Sequence, residues 1–370
     1  MKSKFATFII SVVIILIILI LGIFGIAIWQ EITGEEINPQ NIITQISAND
    51  TSKDNLVTPN ITTNTLDDMM AENNTNVDTT AIQIDRYFYN QLENESKIIY
   101  QAFEKNKENM KSGTYQVEFG NQFSNVLNEE NGQDKLGDYY QSAIEAYTYD
   151  NLDVFYLSPN KMYLNIETTT RGSNVTYNVF MNQGSGNSNY LIDEFSNGAE
   201  VERALNEIEN VKNNIIANRT GNTYQDIRMV HDYLVDSIEY DSSISLSNIY
   251  NIYGALVNGK AVCEGYARSF KYLMDELGIS CVLVIGTGTN SEGETEDHAW
   301  NYVEVDGSWY AVDTTWDDPI IRGSGTVPSN VKYRYFLKGS SEFNQDHTPS
   351  GYFTEGGKLF SYPVLSSTGI

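Results

Sequence analysis

An amphipathic helix followed by a β-hairpin is the feature of this sequence that most restricts its fold. Apolar residues recur at three- and four-residue steps after Cys263, and Gly278 provides the expected end of that helix. The later segment DHAWNYVEVDGSWYAVDTTWDDP alternates apolar and polar residues around Asp306-Gly307, a strong signal for a two-residue hairpin turn. The sequence therefore predicts a helix beside antiparallel strands, with Cys263 at the start of the helix.

The register of the predicted hairpin places three side chains on one face. The turn joins a strand at 298–305 to a strand at 308–315. In that register Trp300 faces Asp313, and His298 lies one diagonal step from Asp313. Because side chains alternate between the two faces of a strand, His298, Trp300 and Asp313 share a face. The pattern predicts contact between His298 and Asp313.

A cysteine at the start of a helix, followed in the chain by a histidine and an aspartate on paired strands, is the set of side chains that nucleophilic acyl chemistry requires. Free backbone N–H groups and the positive end of the helix dipole favour a thiolate at Cys263 and would stabilise an oxyanion formed there. His298 would take or share the thiol proton, and Asp313 would fix the tautomer of His298. Taken singly, each residue is also explained by structure, as a buried cysteine, a hydrogen-bonded histidine and a turn aspartate. The agreement of all three favours a catalytic triad.

The same segments resemble the transglutaminase-like superfamily, relatives of papain-type cysteine peptidases. The resemblance rests on AVCEGYARSFKYLMDELGISC (261–281) and DHAWNYVEVDGSWYAVDTTWDD (297–318), and more weakly on HDYLVDSIEYD (231–241) and RYFLKGSSEFNQDHT (334–348). It implies the nucleophile Cys263, the base His298 and the orienting acid Asp313. It also implies an α+β fold with a papain/transglutaminase-like core, in which the nucleophile helix packs on an antiparallel sheet.

Two further side chains are candidates for the site. Related enzymes use a side chain upstream of the nucleophile as an oxyanion donor, which makes Tyr253 a candidate. Trp300 shares the predicted face with the histidine and the aspartate, so it either shields their contact, lines the cleft or packs in the core. Both are predicted as oxyanion-binding or cleft-lining residues.

The N-terminus predicts the compartment. Residues 5–29 are almost unbroken apolar sequence without charge, long enough to span a bilayer. Lys2 and Lys4 precede this run and acidic residues follow it, so the positive-inside rule places the N-terminus in the cytoplasm. We expect an uncleaved, single-pass signal anchor within residues 1–30, with the rest of the chain outside the cell membrane. A cleavable signal peptide is the alternative.

Three regions are predicted after the anchor. Residues 31–80, rich in Asn, Thr and Asp, are predicted as a disordered, flexible tether. Residues 81–198 are predicted as a small α/β region of unknown role. It has helical sequence at 81–110, followed by the extended runs TYQVEF, LDVFYL, KMYLNIETTT and NVTYNVFMN. Residues 199–370 are predicted as the transglutaminase-like domain, which begins with two helices.

Charge and motifs restrict the partners. After residue 30 the chain has 21 basic and 49 acidic residues, a net charge of −28, which argues against nucleic acid because phosphate binding needs clustered basic residues. No metal-ligand or phosphate-binding motif occurs, so no cofactor and no metal are expected. His231 and His347 are predicted as structural histidines. Cys281 is predicted as a small buried hydrophobe rather than a disulfide partner of Cys263.

Two functions of different classes remain open at this stage. The first is a membrane-anchored extracellular thiol enzyme acting on amide bonds of protein, peptide or cell-wall material, either as a hydrolase or as a transglutaminase. The second is a non-catalytic surface binding protein that retains the transglutaminase-like fold. The complete set of Cys263, His298 and Asp313 favours the enzyme.

Overall fold

The computed structural model describes residues 60–64, 77–318, 329–350 and 360–370, all of which belong to one structural unit. The predicted anchor at 5–29 lies outside these residues, as does most of the predicted tether. The part of the chain that the structure describes contains no helix with both the length and the apolar character needed to cross a bilayer.

The helices and strands alternate irregularly along the chain, as expected for an α+β protein. In chain order they are β1 (Asn60–Asn64), α1 (Asn94–Met110), β2 (Val117–Gly120), α2 (Ser124–Leu127), α3 (Gly132–Asp150), β3 (Tyr163–Arg171), β4 (Asn174–Asn182), α4 (Gly198–Ile216), α5 (Thr223–Ser237), β5 (Glu239–Tyr240), β6 (Lys260–Ala261), α6 (Cys263–Leu277), β7 (Cys281–Thr289), β8 (Thr295–Val305), β9 (Ser308–Val312), α7 (Ser329–Lys332), α8 (Ser340–Phe343) and β10 (His347–Pro349).

The first half of the described chain forms a four-stranded sheet in the order β1-β3-β4-β2. β3 and β4 pair antiparallel along their whole length, from Tyr163 opposite Asn182 to Arg171 opposite Asn174. β1 pairs parallel to β3, so residues 60–64 are a strand inside the segment predicted as a tether. α1 and α3 pack together beside this sheet, and α1 also contacts β2.

A second four-stranded sheet, in the order β10-β7-β8-β9, supports the predicted site. All of its strands pair antiparallel, and α6 packs against β7 and β8. The amide of Asn301 in β8 donates a hydrogen bond to the backbone oxygen of Ala267 in α6, at 2.9 Å, and Asn301 is completely buried. The predicted arrangement, a nucleophile helix on an antiparallel sheet, is therefore present.

One hydrophobic core extends through both halves. Its buried residues come from α1 and α3 as well as from α6, β7 and β8. Arg268 of α6 reaches the first half directly, where its guanidinium donates to the backbone oxygen of Thr148 at 2.6 Å. The domain boundary at 198/199 stays a prediction.

The first half departs from the sequence prediction in two places. Residues 132–150 form the long helix α3, which the prediction of extended runs over 113–200 omitted, although Leu136, Tyr140 and Tyr147 already have helical spacing and are buried. The run LDVFYL was predicted as a strand, but its first three residues form a 3₁₀ turn, Leu152–Val154. Its apolar residues are buried by core packing, and periodicity cannot separate that case from a short strand.

Candidate active site

The start of α6 is held tightly against the chain that precedes it. Cys263 is the first residue of the helix and follows Val262, whose backbone is extended. The Val262 N–H donates to the backbone oxygen of Ile249 at 3.0 Å. A Cβ atom on Gly265 would lie 2.4 Å from that same oxygen, so only glycine allows this approach. The helix ends at Gly278 with φ of 71°, as predicted.

The hairpin has the predicted register. Asn301 pairs with Val312, and Asp306 and Gly307 both have positive φ, at 51° and 78°. Such a turn matches the twist of the two strands. β9 ends at Val312, so Asp313 lies just beyond the ladder, where its side chain can turn toward β8.

His298 and Asp313 form a buried pair. Nε2 of His298 lies 2.7 Å from Oδ2 of Asp313, and the residues are 2% and 0% exposed. The other carboxylate oxygen, Oδ1, accepts hydrogen bonds from the backbone N–H groups of Thr315 and Trp316, at 2.9 and 3.1 Å. These bonds fix the orientation of the carboxylate, which in turn orients the imidazole ring.

The charges of the pair are mutually stabilised. Burial disfavours the charged form of His298, but the Asp313 carboxylate and a hydrogen bond with Cys263 outweigh it and raise the pKa of His298 to about 10. Burial would likewise raise the pKa of Asp313, yet the charge and hydrogen bond of His298, assisted by His347, hold that pKa well below its usual range. Because Nε2 of His298 is already hydrogen-bonded to Asp313, Nδ1 is the ring nitrogen that remains available to interact with Cys263.

His347 contacts the same carboxylate oxygen. Its Nε2 lies 3.1 Å from Oδ2 of Asp313, and its Nδ1 lies 2.7 Å from Oδ1 of Asp346. The sequence prediction of a structural histidine omitted this contact. The donor atoms of His298, Asp313 and His347 lie within 4.8 Å of one another, close enough to hold a metal ion. Hydrogen bonding to one shared oxygen accounts for the grouping, so we interpret it as a hydrogen-bonded chain.

Tryptophan rings enclose the pair. Trp316 stacks on His298 with ring centroids 5.0 Å apart, and Gly288 makes room for it, since a Cβ there would lie 2.8 Å from the indole. Trp300 lies 5.9 Å from the His298 ring and is 1% exposed. Trp300 therefore packs behind the pair as a core residue, which corrects the prediction that it lines a cleft or binds an oxyanion.

The predicted role of Tyr253 is also not supported by its position. Its hydroxyl donates to Glu207 in α4 at 2.8 Å, and its ring stacks on Phe155 at 5.9 Å. Tyr240, in β5, lies opposite Ala261 in β6, two residues before Cys263. Partial burial and the negative charges of Cys263 and Glu296 raise the pKa of Tyr240, although 41% of the residue is exposed.

Tyr240 lies in HDYLVDSIEYD (231–241), one of the two weaker segments of the family resemblance. β5 pairs parallel to β6, with Tyr240 opposite Ala261. This pairing brings Tyr240 to within two positions of Cys263 across the ladder. The short strands that create the pairing are only two residues long, so no periodicity predicts them.

Both cysteines are free. Cys263 is partly exposed, whereas Cys281 is buried in β7 and belongs to the hydrophobic core, as predicted. Burial raises the pKa of the Cys281 thiol. The accessible cysteine is therefore the one beside His298.

Comparison with known proteins supports the assignment of this region. Residues 209–314 match the family model described as transglutaminase-like superfamily. The chain is 32% identical over 141 residues to kyphoscoliosis peptidase of Mus musculus and 30% identical over 138 residues to that of Homo sapiens; each match covers 33% of this chain and 20% of the relative. The chain thus spans about one fifth of the length of these relatives.

A solved structure is also similar. The crystal structure of a TGase aligns over 47% of this chain and 50% of its own length, with 14% identity and a TM-score of 0.28. The family-model match covers Cys263, His298 and Asp313, all of which lie within 209–314. The resemblance first noted in the sequence is confirmed, and residues 209–314 are a transglutaminase-like domain.

Proposed function

We propose that the protein is a thiol-dependent acyl-transfer enzyme that acts on amide bonds of protein or peptide substrates. Cys263 is the nucleophile, His298 the general base and acid, and Asp313 the orienting acid. The observation that carries the proposal is the buried 2.7 Å contact between His298 and Asp313 beside a partly exposed thiol at the start of a helix. The transglutaminase-like match over these residues supports it.

The first half of the reaction forms a thioester. Nδ1 of His298 holds the thiol proton, and the Cys263 sulfur attacks the amide carbonyl carbon. Backbone N–H groups at the start of α6 stabilise the oxyanion, because they are not used within the helix. The hydroxyl of Tyr240, from the strand that pairs with the residues just before Cys263, supplies a further hydrogen bond to the substrate. The C–N bond then breaks, and the amine leaves with the proton from His298.

The second half releases the acyl group. In a hydrolase a water molecule gives a proton to His298, and its oxygen attacks the thioester carbon. The C–S bond breaks, a carboxylic acid leaves, and the thiol–histidine pair is restored. A transglutaminase would use an amine in place of water. We favour hydrolysis, because the matched relatives from mouse and human are named peptidases.

Thiol labelling tests the proposal. A fluorescent iodoacetamide probe should label Cys263 rapidly in the folded chain, and Cys263→Ser should remove that label. Cys281→Ser is the matched control, since this cysteine is buried, and it should leave the labelling rate unchanged. If wild type is labelled no faster than the unfolded chain, the enzyme proposal fails and a non-catalytic binding protein becomes the better account.

Product analysis separates the two reactions. Incubation with a mixture of denatured proteins should create new amino termini that depend on Cys263. Incubation with a labelled primary amine and a glutamine-containing protein should give no Cys263-dependent incorporation. Incorporation without cleavage would identify a transglutaminase instead. The same assay can be run on cell-wall material, the second proposed substrate class, in which cleavage of peptide cross-links would also create new amino termini that depend on Cys263.

We further propose that residues 5–29 anchor the chain in the cell membrane and that the transglutaminase-like domain lies outside the cell. The support is the uncharged apolar run, with lysines before it and acidic residues after it. Protease added to intact cells should release a fragment containing residues 209–314. Protection of that fragment until the membrane is permeabilised would contradict the orientation.

A further inference from the structure

We propose that His347 is a positioning residue for the catalytic pair, sharing the Asp313 carboxylate with His298. The proposal rests on the proposed function, since it assigns a role inside the same site. It adds a fourth residue that lies 34 positions after Asp313 in the chain and reaches it through β10. In this role His347 fixes the orientation of the Asp313 carboxylate and limits how strongly that carboxylate stabilises the protonated form of His298.

The hydrogen bonds of Asp313 leave neither oxygen unused. Oδ2 lies 2.7 Å from Nε2 of His298 and 3.1 Å from Nε2 of His347. Oδ1 accepts two backbone N–H groups of the following turn. An ionised carboxylate only accepts hydrogen bonds, so both histidines must present a hydrogen at Nε2. The two rings therefore compete for one oxygen.

The other ring nitrogen of His347, Nδ1, contacts a second carboxylate, that of Asp346. Nδ1 of His347 lies 2.7 Å from Oδ1 of Asp346, whose Oδ2 accepts a hydrogen bond from the Tyr335 hydroxyl at 2.8 Å. The His347 ring is thus held by a carboxylate at each of its two nitrogens. Oδ2 of Asp313 is in turn shared by two imidazole rings, and each receives only part of the stabilisation that this oxygen provides.

Packing holds the His347 ring in this position. The side chain is fully buried, with Phe343 stacked at 4.0 Å and Trp316 at 4.4 Å between ring centroids. In β10, His347 pairs with Gly288, the residue that also makes room for Trp316. Because water is excluded, the charges around Asp313 are weakly screened and small changes in hydrogen bonding have large effects.

Titratable groups surround the cluster on several sides. They are Cys263 from α6, His298 from β8, Tyr240 from β5, Asp313 and Asp317 after β9, and Tyr335 and Asp346 before β10. Only the two histidines bond to Oδ2 of Asp313 among the described residues. Removing His347 therefore leaves that oxygen to His298, which should keep its proton to higher pH.

The pH profile of Cys263 alkylation by iodoacetate tests the proposal in the full chain. The anionic reagent reacts with the thiolate–imidazolium pair, so its rate falls at alkaline pH as His298 loses its proton. Mass analysis of the Cys263 peptide gives the rate. In His347→Leu the alkaline limb of the profile, where the alkylation rate falls, should shift to a pH about half a unit to one unit higher. Peptide turnover should fall roughly tenfold, because the Asp313 side chain is held less firmly in position.

His231→Leu is the matched control. It removes another buried histidine bonded to a buried aspartate, Asp317, and should leave the alkaline limb at its wild-type position. An unchanged limb in folded His347→Leu would overturn the proposal. If that variant does not fold, Asp346→Asn replaces it, because this side chain is 24% exposed and its Oδ1 lies 2.7 Å from Nδ1 of His347, which it holds in place.

The outcome for Asp346→Asn follows the same logic. An upward shift of the limb supports the proposal, and an unchanged limb overturns it. Failure of the proposed function would look different: wild type would then react no faster than an unfolded chain and would show no bell-shaped profile. In that case the role assigned to His347 fails with it.

Discussion

The His298–Asp313 and His231–Asp317 pairs are both buried in the second half of the described chain, and of these two only the first lies beside a partly exposed thiol. His298 lies 2.7 Å from Asp313, and His231 lies 3.0 Å from Asp317. Both histidines have a raised pKa, since neighbouring carboxylates outweigh the effect of burial. The pairs differ in their other neighbour: His298 interacts with Cys263, whereas Nδ1 of His231 lies 3.1 Å from the carboxylate of Asp232.

The comparison teaches that a buried histidine–aspartate pair is not in itself an active site. His231 is closed in by Tyr333, stacked at 5.3 Å, and by Phe336, with ring centroids 4.9 Å away. Its partner Asp317 also accepts the backbone N–H of Tyr335, so the pair ties α5 to the segment after β9. The His298 pair differs because one side of its ring faces a partly exposed thiol.

Paired substitutions of the aspartates should separate the two pairs most strongly. Asp313→Asn should lower peptide turnover by about 10³- to 10⁴-fold, because an amide no longer stabilises the imidazolium or fixes its tautomer. Asp317→Asn should keep turnover within a few fold while lowering the melting temperature. Steady-state kinetics and thermal unfolding of both variants provide the measurement. Equal losses of turnover would remove the distinction between the pairs.

The two tyrosines near α6 give a smaller contrast. Tyr240→Phe should lower kcat by about 10²-fold, because its hydroxyl, from the strand beside the residues before Cys263, is proposed to hydrogen-bond the substrate. Tyr253→Phe should leave kcat unchanged, since its hydroxyl bonds to Glu207 instead. Kinetics with one peptide substrate compare them. A loss of kcat in Tyr253→Phe but not in Tyr240→Phe would show that Tyr253 is the tyrosine that contributes to the site, as first predicted from the sequence.

The pH dependence of stability should reveal the His298 pair. Its pKa of about 10 in the folded state exceeds the ordinary value of 6.5, so proton binding stabilises the fold fully below pH 6.5. That stabilisation is lost as the pH rises through about 10, and it amounts to several kcal/mol. Urea unfolding between pH 6.5 and 10 should show a steeper loss for wild type than for His298→Gln.

The aspartate of the pair acts at the opposite end of the scale. The lowered pKa of Asp313 stabilises the fold above its ordinary value of 3.8, and this stabilisation is lost as the pH falls through the lowered value.

Parallel curves for wild type and His298→Gln across the alkaline range would contradict the assignment of the charged pair.

The smallest effect is expected at the second cysteine. Cys281→Ala removes a small buried side chain from β7 and should cost about 1 kcal/mol of the free energy of unfolding. Turnover and the rate of Cys263 labelling should not change. A clear loss of labelling would show that Cys281 contributes to the thiol site.

Local pattern was enough to predict the centre of the site. The Asp306-Gly307 turn set the hairpin register, and that register brought His298 to Asp313 as expected. The helix with Cys263 at its start and Gly278 at its end was equally readable, because its apolar spacing and its terminal glycine agree. These are short-range signals, each contained within about twenty residues.

Long-range pairing was not predictable in the same way. His347 reaches Asp313 because β10 pairs with β7, and a three-residue strand has no periodicity of its own. Tyr240 is brought beside the residues before Cys263 by a pairing of only two residues, whereas the hydroxyl of Tyr253, which is nearer in sequence, bonds to Glu207 in α4. The omitted helix α3 is a different case, since its buried residues do have helical spacing.

The most direct test of the central claim is the rate of Cys263 alkylation at pH 7 in three proteins. Wild type and His231→Ala should react with iodoacetamide at similar rates, whereas folded His298→Ala should react about 10²-fold more slowly, because its thiol has lost the imidazole that holds its proton. Equal rates in all three proteins would contradict the claim that His298, and not His231, activates Cys263.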